Sequence, residues 1–220
     1  MSFEDPSLST RRTFIGAVAG STLALAAPPL GALDASTSTA ADDPWLTAIT
    51  GKHKQVFDIT NINGGVGLMF AETYLASMME HYRLRSGDVG AFVVARYFGT
   101  GLALDDLIWN KYGLGQMWKV IDPVTNQPST RNVFYHSKPG DMPNIEASID
   151  RLMAKGVVFG VCGHALNVLA NATAARTGVT PDVAIAEWRA HVIPGVHVVP
   201  SGVLAIGKAQ EAGCTYCFGG

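Results

Sequence analysis

The run Val89-Gly90-Ala91-Phe92-Val93-Val94-Ala95 carries no polar side chain. A strand with one wet face alternates apolar and polar residues. A strand covered on both faces, as in a parallel sheet packed between helices, reads as one apolar run. Two later runs have the same character, Val157 to Val161 and Val196-His197-Val198-Val199. Gln55 to Thr60 reads as a first strand, and Thr215-Tyr216 as a short last one. Helix-like stretches separate them. The first runs from about Leu68 to Leu84, with Phe70, Leu75, Met78, Met79 and Tyr82 near helical spacing. Others are expected at Ala103 to Tyr112, Asn144 to Ala154, His164 to Arg176, and Pro181 to Val192, where proline suits a first turn. A last helix, capped by Ser201, reaches about Ala212. This alternation predicts an α/β fold, a three-layer sandwich with a mostly parallel sheet of about five strands, flavodoxin-like. Residues 113–143 break the pattern and read as an excursion, such as a hairpin, covering one face or edge. No internal repeat is visible.

The N-terminus has a separate logic. Arg11-Arg12-Thr13-Phe14 precedes an apolar stretch, Phe14 to Ala27, that is interrupted by Gly16, Gly20, Ser21 and Thr22 and closed by Pro28-Pro29. It is short of the roughly 20 apolar residues of a spanning helix. It reads as a signal peptide, and the paired arginines resemble the twin-arginine export signal. Residues 1–35 are therefore expected to be leader and the start of a linker, 36–51 a polar linker, and 52–220 the domain. The expected location is periplasmic or otherwise extracytoplasmic, with the twin-arginine machinery as export partner and no membrane association after cleavage.

Composition narrows the function. Lys and Arg total 16 against 18 Asp and Glu, a net charge of −2. That balance lacks the basic excess expected of a nucleic-acid binder. Charged residues make up only 15% of the 220 residues, and mean hydropathy is +0.20. A leader and a sheet buried on both faces account for part of this, and an oligomer interface would account for more. Three cysteines are too few for a disulfide scaffold.

Three segments together resemble the DsrE/DsrF-like family. They are Val157-Val158-Phe159-Gly160-Val161-Cys162-Gly163-His164-Ala165-Leu166, the later Val198-Val199-Pro200-Ser201-Gly202-Val203 with Ala209-Gln210-Glu211-Ala212-Gly213 and Tyr216, and the opening Lys54 to Ile59. The resemblance implies a DsrE-like α/β domain that often forms homo-trimers or hexamers. It also implies, for some members, sulfur carried as a cysteine persulfide. Cys162 matches the sulfur-carrying position. No cofactor beyond that sulfur is implied.

Ligands of parallel α/β sheets bind beyond the carboxyl ends of the strands. The loops expected there hold Asn61, Asn63, Gly64 and Gly65 after strand one, and Arg96 and Tyr97 after strand two. Cys162, Gly163 and His164 follow strand three, and Ser201 follows strand four. Cys162 sits where strand yields to helix, and the positive helix end favours thiolate. The competing reading is a small buried hydrophobe. His164 and Arg96 would add positive charge, or make one hydrogen bond and a surface ion pair respectively. The glycine loop could cradle an anion, but it fails the dinucleotide fingerprint and equally suits a tight turn. Ser201 reads as a helix cap before it reads as a nucleophile.

Cys214-Thr215-Tyr216-Cys217 forms a C-x-x-C in a predicted strand. Three strand steps span about 10 Å, beyond the roughly 4.4–6.8 Å that a disulfide needs. It is half a zinc site, which His191 or His197 would have to complete. No metal site is assigned. Three functions remain: a sulfur relay through Cys162, a non-catalytic oligomeric module binding a small anion or a protein, and a redox or metal protein using Cys214 and Cys217.

Overall fold

The computed structural model describes residues 43–220. The expected leader and the first part of the expected linker lie outside the described residues. Five strands form one sheet, all parallel, in the order β4-β3-β2-β1-β5. They are β1 (His53–Ile59), β2 (Val89–Ala95), β3 (Val158–Cys162), β4 (Val196–Val199) and β5 (Cys214–Phe218). The apolar run of β2 takes the centre, and all seven of its residues are buried. Burial falls off toward β4 and β5 at the edges. Among the described residues no helix is long and apolar enough to cross a membrane.

The chain first enters through the short helix α1 (Pro44–Thr47), then β1 leads to α2 (Val66–His81) and β2. A 3₁₀ segment at Tyr97–Ala103 follows, then α3 (Asp106–Lys111) and α4 (Leu114–Trp118), and α5 (Ile149–Ala154) precedes β3. Next come α6 (Gly163–Thr177), α7 (Pro181–Ala190), β4, α8 (Gly202–Glu211) and β5. From β1 to β4 each strand is laid beside the last in one direction. Right-handed crossovers then place the connecting helices on one face. The step from β4 to β5 runs back across the sheet, so α8 covers the other face.

The core divides accordingly. On one side Phe57, Val93 and Phe159 pack with Leu68 and Leu75 of α2, Leu166 of α6 and Trp188 of α7. On the other, Val56, Phe92 and Val94 meet Ala205 and Ala209 of α8 and the residues Trp45, Leu46 and Ile49. Alternate residues of the central strand thus feed opposite cores, which is why the run has no polar position. Gly160 leaves space on β3 for the Phe92 ring, since a Cβ there would stand 2.9 Å from it.

Several expected boundaries shift. The polar linker expected through residue 51 ends earlier, because Trp45 is buried and stacks on Phe92 at 5.2 Å between ring centroids. The helix expected over Ala103 to Tyr112 is the end of the 3₁₀ segment followed by α3, which is capped by Asp105, whose carboxylate accepts from the Leu107 and Ile108 N–H groups. The excursion at 113–143 contains α4 and a single antiparallel bridge between Ile121 and Pro128. Its Leu114, Val133, Phe134 and Met142 join the larger core, so it covers that face. Strand β3 extends one residue further than expected, and Cys162 is its last residue.

Candidate functional site

The chain leaves β3 into α6 on one face and leaves β4 into α8 on the other. Neighbouring strands whose exits diverge in this way open a crevice at their carboxyl ends, where ligands of such sheets bind. Cys162 and Val199 are paired at this divergence. A cavity of about 370 Å³ lies over it, lined by Arg96, Tyr97, Cys162, His164, Val168 and Ser201 among others.

Cys162 caps α6, and its Sγ accepts from the Ala165 N–H at 3.3 Å. The residue is 7% exposed, yet it forms part of the cavity wall. Gly163 keeps the turn tight: a Cβ there would approach the Val199 carbonyl oxygen to 3.0 Å. His164, one residue on, is exposed and also lines the cavity. Ser201 Oγ accepts from the Leu204 N–H at 3.2 Å, so this hydroxyl is a helix cap.

Arg96 is held by a buried carboxylate. Its Nε and Nη2 donate to Asp58 Oδ1 and Oδ2 at 2.6 and 2.9 Å. Asp58 is 2% exposed and also accepts from the Tyr216 hydroxyl at 2.9 Å. The hydrogen bond to Asp58 raises the Arg96 pKa further, while burial and then Asp58 push the Tyr216 phenol up. The cation expected to serve an anionic ligand is therefore half of a charge-balanced pair. Asp58 and Tyr216 were not among the expected site residues. An aspartate between apolar neighbours, Val56-Phe57 and Ile59, is itself a signal, because a buried carboxylate requires partners.

Tyr97 follows with φ of +51°, in the left-handed region that a bulky side chain rarely occupies. Its ring is largely exposed and lies 4.2 Å from that of Phe98.

The loop after β1 goes elsewhere. Asn61, Asn63 and Gly64 line a second cavity, of about 360 Å³, with Trp118, Lys119 and Phe134 of the excursion. Gly64 and Gly65 have φ of +60° and +80°, as a tight turn requires. Gly65 is buried where a Cβ would crowd Phe134 and Met142. The expected site thus splits. Arg96, Tyr97, Cys162, His164 and Ser201 share one cavity, whose wall does not include Gly163, whereas Asn61, Asn63 and Gly64 share another.

The three cysteines are unbridged. Cys214 is buried in the smaller core and Cys217 packs against the larger one, on opposite faces of β5. Burial pushes both thiols up. His197 lies on β4, at the far edge of the sheet, and His191 Nδ1 contacts Asp105 Oδ2 at 2.8 Å. Neither histidine completes a metal site with Cys214 and Cys217. Among the described residues no three His, Cys, Asp or Glu side chains gather to hold a metal.

No protein-family model matches the chain, and no curated protein matches it. One solved structure that it is similar to is that of a protein of unknown function from Methanobacterium thermoautotrophicum. The two share 20% sequence identity with a TM-score of 0.39, over 76% of this chain and 98% of that one. The α/β assignment stands on the strand order and the two helical layers.

Proposed function

We propose that this chain is an exported, DsrE-like sulfur carrier in which Cys162 holds a persulfide. One observation carries the reading. Of the three cysteines, Cys162 is the one in the wall of the cavity at the strand divergence. The chemistry asks little of the protein. The Cys162 thiol gives up its proton to solvent, and the thiolate attacks the terminal sulfur of a donor persulfide. The new Sγ–S bond forms as the donor S–S bond breaks, and the donor leaves as a thiolate with the electron pair. No net oxidation occurs. Acceptance by a second thiolate reverses the step.

Mass spectrometry of the mature protein after incubation with a persulfide donor tests this. Gain of one sulfur atom on the Cys162 peptide, absent in Cys162→Ser, is the expected result. An unchanged mass on that peptide refutes the reading.

A second reading, a non-catalytic oligomeric binding module, is favoured by the exposed apolar side chains of Tyr97, Val168 and Val203 around the same cavity. It requires Cys162→Ala to keep the biological phenotype, whereas the sulfur carrier requires it to lose it.

A further inference from the structure

We infer that the cavity over Cys162 takes a small organic thiol or persulfide with an uncharged, apolar body, in preference to an inorganic sulfur anion. The inference names the substrate class of the proposed sulfur site, and so rests on that reading for the role of the sulfur.

Three features of the cavity lead to it. The first is its walls. Val168 on α6 is 52% exposed and Val203 on α8 is 70% exposed, and the two line the cavity from opposite helical layers. Leu169, Ala165 and the Tyr97 ring continue the same surface. Apolar side chains left open to water inside a concave site are matched by an apolar occupant.

The second is charge. Arg96 lines the cavity, but two of its nitrogens are engaged by the buried Asp58 carboxylate. The pair is neutral, and Tyr216 donates to the same carboxylate. An inorganic anion seeking the two-point face of the guanidinium would have to compete with Asp58, which leaves it Nη1 and the exposed His164. A neutral body needs neither. The Ser201 hydroxyl, whose oxygen caps α8 by accepting from the Leu204 N–H, leaves one O–H donor at the rim and no charge.

The third is size. About 370 Å³ falls in the range of small-molecule pockets, roughly 300–1,000 Å³. A thiosulfate or hydrosulfide ion would leave most of it wet. A benzyl-sized group occupies more of it and covers the apolar walls, with the sulfur directed to Cys162.

The test has two arms. In the first, benzyl mercaptan and thiosulfate are titrated by calorimetry against the Cys162→Ser protein, which cannot exchange sulfur. Benzyl mercaptan is expected to bind at least about tenfold tighter, the worth of burying part of an apolar group. Val168→Asp and Val203→Asp should each lose about tenfold for benzyl mercaptan, and the neutral Val203→Thr, which adds no charge to repel a dianion, should weaken benzyl mercaptan and leave thiosulfate unchanged. Both positions are solvent-exposed, and Val203→Thr serves as a gentler variant. Equal or tighter binding of thiosulfate overturns the inference, as does failure of benzyl mercaptan to bind. A fall in native mass in Val203→Asp also overturns it, because a second copy of the chain would then be the occupant. In the second arm, the wild-type protein meets benzyl hydropersulfide or inorganic polysulfide, and sulfur on Cys162 is followed by mass. Faster loading from the benzyl donor supports the inference, and equal or slower loading overturns it. Binding of benzyl mercaptan in the first arm, with no sulfur gained from either donor in the second, would refute the sulfur carrier and leave an apolar ligand site standing.

Discussion

Arg96 and Asp58 meet across the carboxyl ends of β2 and β1 in a two-point pair, with Nε–Oδ1 at 2.6 Å and Nη2–Oδ2 at 2.9 Å. The carboxylate side chain is 3% exposed and the guanidinium side chain 29%. The buried partner therefore depends on the half-buried one more than the reverse. Asp58→Asn leaves a cation at the cavity rim without its counter-charge. The expected loss is about 2 kcal/mol, discounted from the cost of breaking a fully buried pair because Arg96 reaches water. Urea denaturation measures it. The same variant should bind thiosulfate more tightly than wild type, since Arg96 is then released to an external anion. No change in either quantity would remove the pair from the account of the site.

Trp45 tests the smaller core. It is buried and stacks on Phe92 at an interplanar angle of 22°. Trp45→Ala removes an aromatic side chain from a layer that, among the described residues, α1, Ile49 and α8 supply. A loss of about 3 kcal/mol is expected in chemical denaturation. A loss within about 0.5 kcal/mol, the range of ordinary surface substitutions, would return residues 44–49 to the status of a linker.

What could be read from the residues follows the physics of each signal. The centre of the sheet was legible because β2 is buried on both faces and leaves no polar position. The strand-to-helix site of Cys162 was legible because an apolar run ends at Cys162-Gly163. Strand order was not, since no periodicity records which parallel strands are neighbours. Without that order the loop of Asn61 and Asn63 looked as close to Cys162 as Arg96 did. The Arg96–Asp58 pair spans 38 positions and needs the β1–β2 register to be seen. The helix at Pro44–Thr47 was hidden because only Trp45, Leu46 and Ile49 are apolar in a polar neighbourhood.

The C-x-x-C motif supplies a negative control. Cys214 and Cys217 face opposite sides of an extended strand, and burial pushes both thiols above the ordinary cysteine range. Thiolate at these positions is therefore scarce at neutral pH and grows only as pH rises beyond that range. Mild oxidation of the native protein, followed by alkylation and peptide mapping, should find both thiols free. A reversible Cys214–Cys217 disulfide in the folded chain would contradict the strand.

Asp141 carries an acid-sensitive contact in the excursion. Burial pushes its carboxyl up, but hydrogen bonds from Arg131 at 2.8 and 2.6 Å and from the Lys138 N–H at 2.7 Å outweigh this and hold it below the usual value. A depressed folded pKa means that the contribution is complete above the unfolded value of about 3.9 and is lost as pH falls through the folded one. Asp141→Asn should cost about 2 kcal/mol near neutral pH, the scale of a hydrogen bond to a charged group. The difference from wild type should shrink below about pH 4, where Asp141 of the unfolded chain begins to take up its proton while the folded carboxylate still holds its charge. Denaturation midpoints at pH 7 and pH 3 check it. A difference that is constant with pH would mean that the charge of Asp141 contributes nothing.

Tyr97 holds a left-handed backbone beside the cavity, and the residue is 58% exposed. The left-handed region costs a residue with a Cβ roughly 1 kcal/mol relative to glycine. Little buried area offsets that cost at so exposed a ring. Tyr97→Gly should therefore be more stable than Tyr97→Ala by about 1 kcal/mol, because both lose the ring and only glycine relieves the backbone. Tyr97→Gly also removes an aromatic wall from the cavity. It should bind benzyl mercaptan less tightly than wild type even as it is more stable than Tyr97→Ala, which separates the two effects. Equal stability of the glycine and alanine variants would show that the backbone at Tyr97 stores no strain, and unchanged binding would show that the ring stands outside the site.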